Sequence, residues 1–220
     1  MLLDAGPDLR EQALTHGITR CDGVLITHNH VDHTWGLDEL RRFNAVMRAP
    51  VDLYAEPRTM EQVRRVYAHI FERENNVNDS FVAHLIPWPL EPGNRVEIHG
   101  LRFTPLRLLH GRLPVLGFRI EAADPALDAP WLPLAYCTDV SAIPPESWGA
   151  LTGLSTLVLD ALRFRHHPTH LTVDQALSVA ERVGAGRTWF VHMSHDVAHQ
   201  KTDPALPDGV GLAYDGLTLG

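Results

Sequence analysis

The chain has 220 residues, of which 45% are hydrophobic and 21% charged, close to the globular average; this excludes disordered, collagen-like and coiled-coil chains and leaves ample material for an apolar core. Nineteen Lys and Arg against 27 Asp and Glu give a formal charge of -8, so no broad cationic face is expected to hold a long nucleic acid by counterion release. Two cysteines, Cys21 and Cys137, are too few for a disulfide framework and read as free thiols. The first residues carry no basic and apolar leader, and no apolar run approaches 18 residues, so a cytoplasmic location without membrane contact is expected.

In chain order, residues 8–16 have the apolar spacing of a short helix, and Val24 to Thr27 reads as a buried strand. Helical spacing returns over residues 37–47, a strand over 51–54, and a second helix over 57–71 with Pro57 in its first turn. Strands are expected over 101–109, 115–120, 134–138, 157–159 and 188–191. The clearest helix begins at Thr172: Thr172 and Gln175 have capping-box spacing, and Val173, Ala176, Leu177, Ala180 and Val183 form one stripe that ends before Gly184. Strands and helices interleave, but residues 96–120 pass from strand to strand through short turns. A mixed α/β sandwich in one domain over residues 1–220 is therefore expected, with no internal repeat.

Fourteen histidines, against seven Phe and five Trp, are the unusual count, and they cluster. The strand-like Gly23-Val24-Leu25-Ile26-Thr27 runs into His28-Asn29-His30-Val31-Asp32-His33, four ligand-type side chains within six residues. The strand is expected to place His28 and His30 on the same side by period two, and the turn to swing Asp32 and His33 toward an adjacent position. Two sets of lone pairs in one cleft is the arrangement that two neighbouring metal ions need. Three further strand-like runs end on ligand types, at His110, Asp139 and His192. A lone histidine or aspartate after a strand is an ordinary surface, core or turn residue. Together with the first cluster, however, they complete six or seven N and O donors, with Asp139 available as a bridging carboxylate.

The HxHxDH motif, followed in order by His110, Asp139 and His192, resembles the metallo-β-lactamase superfamily. Leu3-Asp4-Ala5-Gly6-Pro7-Asp8-Leu9-Arg10, His167-Pro168-Thr169-His170-Leu171-Thr172 and Val191-His192-Met193-Ser194-His195-Asp196 are similar to its phosphoribosyl 1,2-cyclic phosphate phosphodiesterases, and more distantly to ribonuclease Z. The resemblance implies a four-layer αββα sandwich with metals at one edge. It implies His28, His30 and His110 on one ion, Asp32, His33 and His192 on a second, and Asp139 between them. His170 corresponds to an additional histidine beside the scissile phosphate. Family members usually carry some tens of residues before the Leu-Asp-Ala-Gly segment, so the first sheet is expected to lack N-terminal strands and to have an open edge near residues 2–4.

The implied reaction is hydrolysis of a small cyclic or nucleotide-like phosphate ester by a hydroxide bridging two divalent ions. Zn or Mn are expected, Fe is also suited, and Asp32 and Asp139 stay ionised as ligands. His170 stabilises developing charge or protonates the leaving alkoxide. Arg112, Arg163 and Arg165 flank the ligands and suit phosphate oxygens, Asp160 is placed to orient a ligand histidine, and Trp35 is expected to pack beneath the motif or wall its pocket. His195 is a further candidate near the last ligand. His16, His69, His84 and His99 read as surface residues. A homodimer is compatible with an open edge. The alternatives are a thioester or lactone hydrolase on the same scaffold, or a non-catalytic binding protein.

Overall fold

The structure, a computed structural model, describes residues 1–72, 74 and 81–219. They divide into two compact units, Met1–Glu91 and Pro92–Gly220.

In the first unit, β1 (Leu2–Leu3), β2 (Gly23–Leu25), β3 (Val51–Ala55) and β4 (Leu85–Pro89) form a parallel sheet in that order. Parallel neighbours require crossovers, and helices supply them: α1 (Leu9–Thr15) after β1, α2 (Val31–Thr34) and α3 (Leu40–Met47) after β2, α4 (Pro57–Val66) and α5 (Ala68–Phe71) after β3. β3 alternates, burying Val51, Leu53 and Ala55, while Leu40 and Phe43 of α3 and Met60 and Val63 of α4 turn their apolar stripes into the same core. The helix expected over 57–71 is interrupted at Tyr67, whose backbone leaves the helical region and whose hydroxyl donates to the carbonyl of Thr34 at 3.0 Å.

β1 is an end strand that among the described residues is bonded to β2 alone, as the open edge near residues 2–4 requires. β4 closes the other end and was absent from the expected strands. Its Pro87 and Pro89 argue against a strand in general, yet an end strand has one side that needs no N–H donors, and prolines there discourage edge-to-edge pairing.

The second unit holds a seven-stranded sheet. β5 (Val96–Ile98), β6 (Leu101–His110), β7 (Leu113–Ala122) and β8 (Leu134–Cys137) run antiparallel in succession; β9 (Thr156–Asp160), β10 (Arg187–Val191) and β11 (Val210–Leu212) continue parallel to β8. β6 and β7 pair from Leu101 with Ala122 to His110 with Leu113, turning at Gly111 and Arg112. Since β6 and β8 are both antiparallel to β7, the C-terminal ends of β6, β8, β9 and β10 lie along one edge of the sheet. In sheets with parallel strands that edge is where ligands bind.

α6 (Val173–Val183) begins as expected: the Thr172 hydroxyl accepts from Gln175 N at 3.2 Å, the Gln175 side chain accepts from Thr172 N at 2.9 Å, and Gly184 closes the helix in the left-handed region. α7 (His199–Thr202) is a single turn. Cys21 and Cys137 are free and buried, and burial pushes their thiols up to about 11 and about 12. Among the described residues no helix is long and apolar enough to cross a membrane.

Candidate metal centre

In the first unit β2 ends at Leu25, so alternation along a strand does not place the histidines. His28 and His30 leave the strand as a loop, and α2 carries Asp32 and His33. The loop nonetheless gathers them: the His28 ring centroid is 4.5 Å from that of His30 and 4.3 Å from that of His33, and His33 Nε2 lies 3.3 Å from Asp32 Oδ2. The expectation about grouping holds; its stated reason does not.

Asp4 explains how the loop is held. Its buried carboxylate accepts from the Thr27 backbone N–H at 2.8 Å and hydroxyl at 2.9 Å, and lies 2.7 Å from His33 Nδ1. Burial pushes the Asp4 carboxyl above its ordinary range, partly offset by the His33 and Thr27 bonds. With its hydroxyl proton directed at Asp4, Thr27 Oγ1 is left to accept from His28 Nδ1, 3.0 Å away. Both imidazoles are thereby fixed with Nδ1 protonated, which leaves Nε2 as the candidate ligating atom.

The same Leu-Asp-Ala-Gly segment is pressed backbone to backbone against α2. Ala5 N donates to His33 O and Gly36 N to Ala5 O, each at 2.8 Å. A Cβ on Gly6 would stand 2.7 Å from Asp32 O, and one on Gly36 would stand 2.2 Å from Gly6 O. Glycine is required at both positions by this close approach.

In the second unit the expected residues stand at the C-terminal edge of β6, β8 and β10. His110 ends β6, and its Nδ1 donates to Thr169 O at 2.8 Å, which again leaves Nε2 as the candidate ligating atom; that atom is 4.0 Å from Asp139 Oδ1. Asp139 follows β8, is buried, and accepts from the Thr138 hydroxyl at 2.8 Å. His192 follows β10 with Nε2 3.5 Å from Asp139 Oδ2.

Asp160, fully buried at the end of β9, takes Leu171 N at 3.0 Å and His170 Nδ1 at 3.2 Å, and stands 3.7 Å from His192 Nδ1. It therefore orients His170 as well as approaching the candidate ligand His192. The His170 ring stacks on His192 (4.8 Å, 13°) and meets His110 edge-on (4.5 Å, 71°), with its Nε2 4.0 Å from Asp139 Oδ1. Asp160, His170 and His192 also offer ligand atoms within 4.8 Å of one another. Asp139 and His192 both sit at positive φ, 54° and 60°.

The flanking residues divide. Arg165 reaches Asp196 at 2.8 Å and Arg163 bonds the carbonyls of Arg165 and His166, so both are engaged with their own loop. Arg112 borders a polar cavity of about 500 Å³ that His167 and His170 also line. The His195 side chain is 94% exposed and lies 3.5 Å from Asp196. Trp35 is 63% exposed, which excludes packing beneath the motif. Sequence reasoning gave no role to Asp4, Thr27 or the Thr169 carbonyl. The Leu-Asp-Ala-Gly segment was the signal for the first; a main-chain acceptor leaves no signal at all.

Imidazole nitrogens, those of His28, His33 and His110 held through Nδ1, with the buried carboxylate of Asp139, the exposed one of Asp32 and no thiolate, form a donor set that fits divalent Zn, Mn or Fe.

A family model described as "Beta-lactamase superfamily domain" matches residues 1–193. Among solved structures, the chain is similar to a new diphosphatase from the PhnP family, with TM-score 0.84 and 36% identity, covering 98% of this chain and 77% of that one. Among curated proteins, it is 33% identical over 219 residues to an octanoyltransferase of Porphyromonas gingivalis, covering 99% of this chain and 41% of that protein. It is 32% identical over 123 residues to a ribonuclease Z of Methanopyrus kandleri, covering 55% of this chain and 39% of that protein. The chain thus spans about two fifths of the length of the curated relatives it matches. Its fold class is the α/β sandwich that the residues and their resemblance implied. On the family match over most of its length, the chain belongs to the metallo-β-lactamase superfamily, with likeness to the PhnP family and ribonuclease Z.

Proposed function

We propose that the chain is a dinuclear metal-dependent phosphodiesterase acting on a small cyclic or nucleotide-like phosphate ester. His28, His30 and His110 would hold one divalent ion and Asp32, His33 and His192 a second, with Asp139 shared. Zn and Mn suit these donors best, and Fe also fits. Bound ions of this kind supply a water ionised near neutral pH and neutralise charge on phosphate oxygens.

The observation that carries the reading is the Asp160–His170 pair. Asp160 accepts the Nδ1 proton of His170, so the ring is held in one tautomer and orientation. When Nε2 carries a second proton, that proton can pass to a leaving alkoxide, which leaves the neutral Nδ1–H imidazole, and a proton from solvent restores the acid form. A structural histidine would not need a buried carboxylate at Nδ1 and the carboxylate of Asp139 4.0 Å from Nε2. Likeness to a diphosphatase and a ribonuclease supports the phosphate ester as substrate. A reducing, cytoplasmic setting accords with the two buried free thiols, and a homodimer is part of the same reading.

A second reading rests on the octanoyltransferase likeness: cleavage of an acyl ester or thioester by the same donors. That name covers a protein of which this chain spans 41%. Purified chain is to be analysed for metal and assayed with bis(p-nitrophenyl) phosphate beside p-nitrophenyl octanoate. Two ions per chain and metal-dependent cleavage of the diester are expected. Preference for the octanoate ester would transfer the assignment to acyl chemistry, and protein that neither binds metal nor cleaves either compound would be an accessory binding protein.

A further inference from the structure

Within the first unit, α1 and α3 leave between them an apolar cavity of about 370 Å³ that shares no residue with the proposed ligand set. Its floor is core: Leu9 and Phe43 are buried, and Ala13 packs against the same cluster. Its walls are not. Leu14 and Val46 are 67% and 70% exposed, and Ile18 joins them after Gly17 (φ 63°) turns the chain back across the end of α1. One exposed apolar side chain is unremarkable, but three around a single concavity of ligand-pocket size mark a binding site.

The rim supplies the second half of the chemistry. Arg10 and Arg42 border the cavity, are exposed, and have no ion-pair partner among the described residues, whereas the adjacent Arg41 is bound to Asp38. Glu39 is the one acid on the rim. Two guanidinium groups against one carboxylate make the mouth locally positive on a chain whose formal charge is -8. An apolar slot with a cationic mouth is complementary to an apolar chain that ends in an anion, and guanidinium forks match a carboxylate bidentately.

We propose that this cavity binds a medium-chain carboxylate, with the hydrocarbon between α1 and α3 and the head group on Arg10 and Arg42. The site is independent of what the metal centre hydrolyses. The negative charge of Glu39 on the rim opposes an anionic head group, so Glu39→Gln is expected to strengthen binding.

Calorimetric titration of the purified chain with hexanoate, octanoate and decanoate tests the proposal. Affinity should climb about fourfold per added methylene until the cavity is full, the value that corresponds to about 0.8 kcal/mol per buried CH₂. Methyl octanoate should bind at least tenfold more weakly than octanoate. The double substitution Arg10→Gln and Arg42→Gln should erase that difference while leaving the ester's own affinity in place, and Ala13→Trp should abolish binding of both. Equal affinity for acid and ester, or indifference to the arginine substitutions, would reduce the cavity to an unspecific apolar surface and overturn the proposal. So would sedimentation showing a dimer that Leu14→Asp dissociates, because the patch would then be covered by a second copy.

Discussion

Asp4, Asp139 and His192 are three of the five non-glycine residues with left-handed backbone among the described residues; Asp4 holds the candidate ligand His33 in the first unit, and Asp139 and His192 are candidate ligands in the second. Such conformations cost on the order of 1–3 kcal/mol and persist where surrounding bonds over-determine them. Here Asp4 is fixed by Thr27 and His33, and Asp139 by Thr138. The distinction between holding metal and moving a proton is also a matter of single residues. Asp139→Ala removes the carboxylate that approaches His110, His170 and His192, so bound metal should fall sharply in elemental analysis. His170→Ala should instead lower turnover about 10²–10⁴-fold with metal content near normal. Loss of metal on His170→Ala would make His170 a ligand beside Asp160 and His192 and remove the proton donor from the mechanism.

At the scale of elements, the join between the Leu-Asp-Ala-Gly segment and α2 depends on two glycines whose Cβ positions are occupied by backbone. Gly36→Ala should cost about 1–3 kcal/mol or more in denaturant unfolding, since neither main chain can yield as a side chain would. Gly149→Ala is the control: a Cβ there meets nothing within 4 Å and the backbone is not left-handed, so stability should hold or rise by a few tenths of a kcal/mol. Local signals read these elements unevenly. The cap and stripe of α6 were legible because capping and amphipathic period are both encoded within a dozen residues. β4 was hidden by two prolines that only its position at the end of a sheet makes acceptable. The split between α4 and α5 was likewise hidden, because the Tyr67 hydroxyl finds its acceptor on Thr34, 33 positions away.

For the whole molecule, composition sets charge and therefore which partners it can hold. With a formal charge of -8 and no basic arm, the chain should leave tRNA unretarded in a gel-shift assay at 150 mM salt, even though ribonuclease Z is among its relatives. Salt-sensitive retardation would show that cationic side chains gather on one face against the net charge. Each unit also encloses its own apolar core, the first built on β1 to β4 and the second on β6 to β11.

The candidate ligands could be named from sequence because HxHxDH is dense and because His110, Asp139 and His192 each follow a recognisable strand. Strand ends are local features, so the chain itself announces them. What the sequence could not disclose is what holds each side chain in its role. The Asp4 contact with His33 spans 29 positions and the Thr169 carbonyl reaches His110 across 59. A hydrogen bond between residues far apart in the chain, or to a main-chain oxygen, has no composition or period, and exists only once the sheets have brought its partners together.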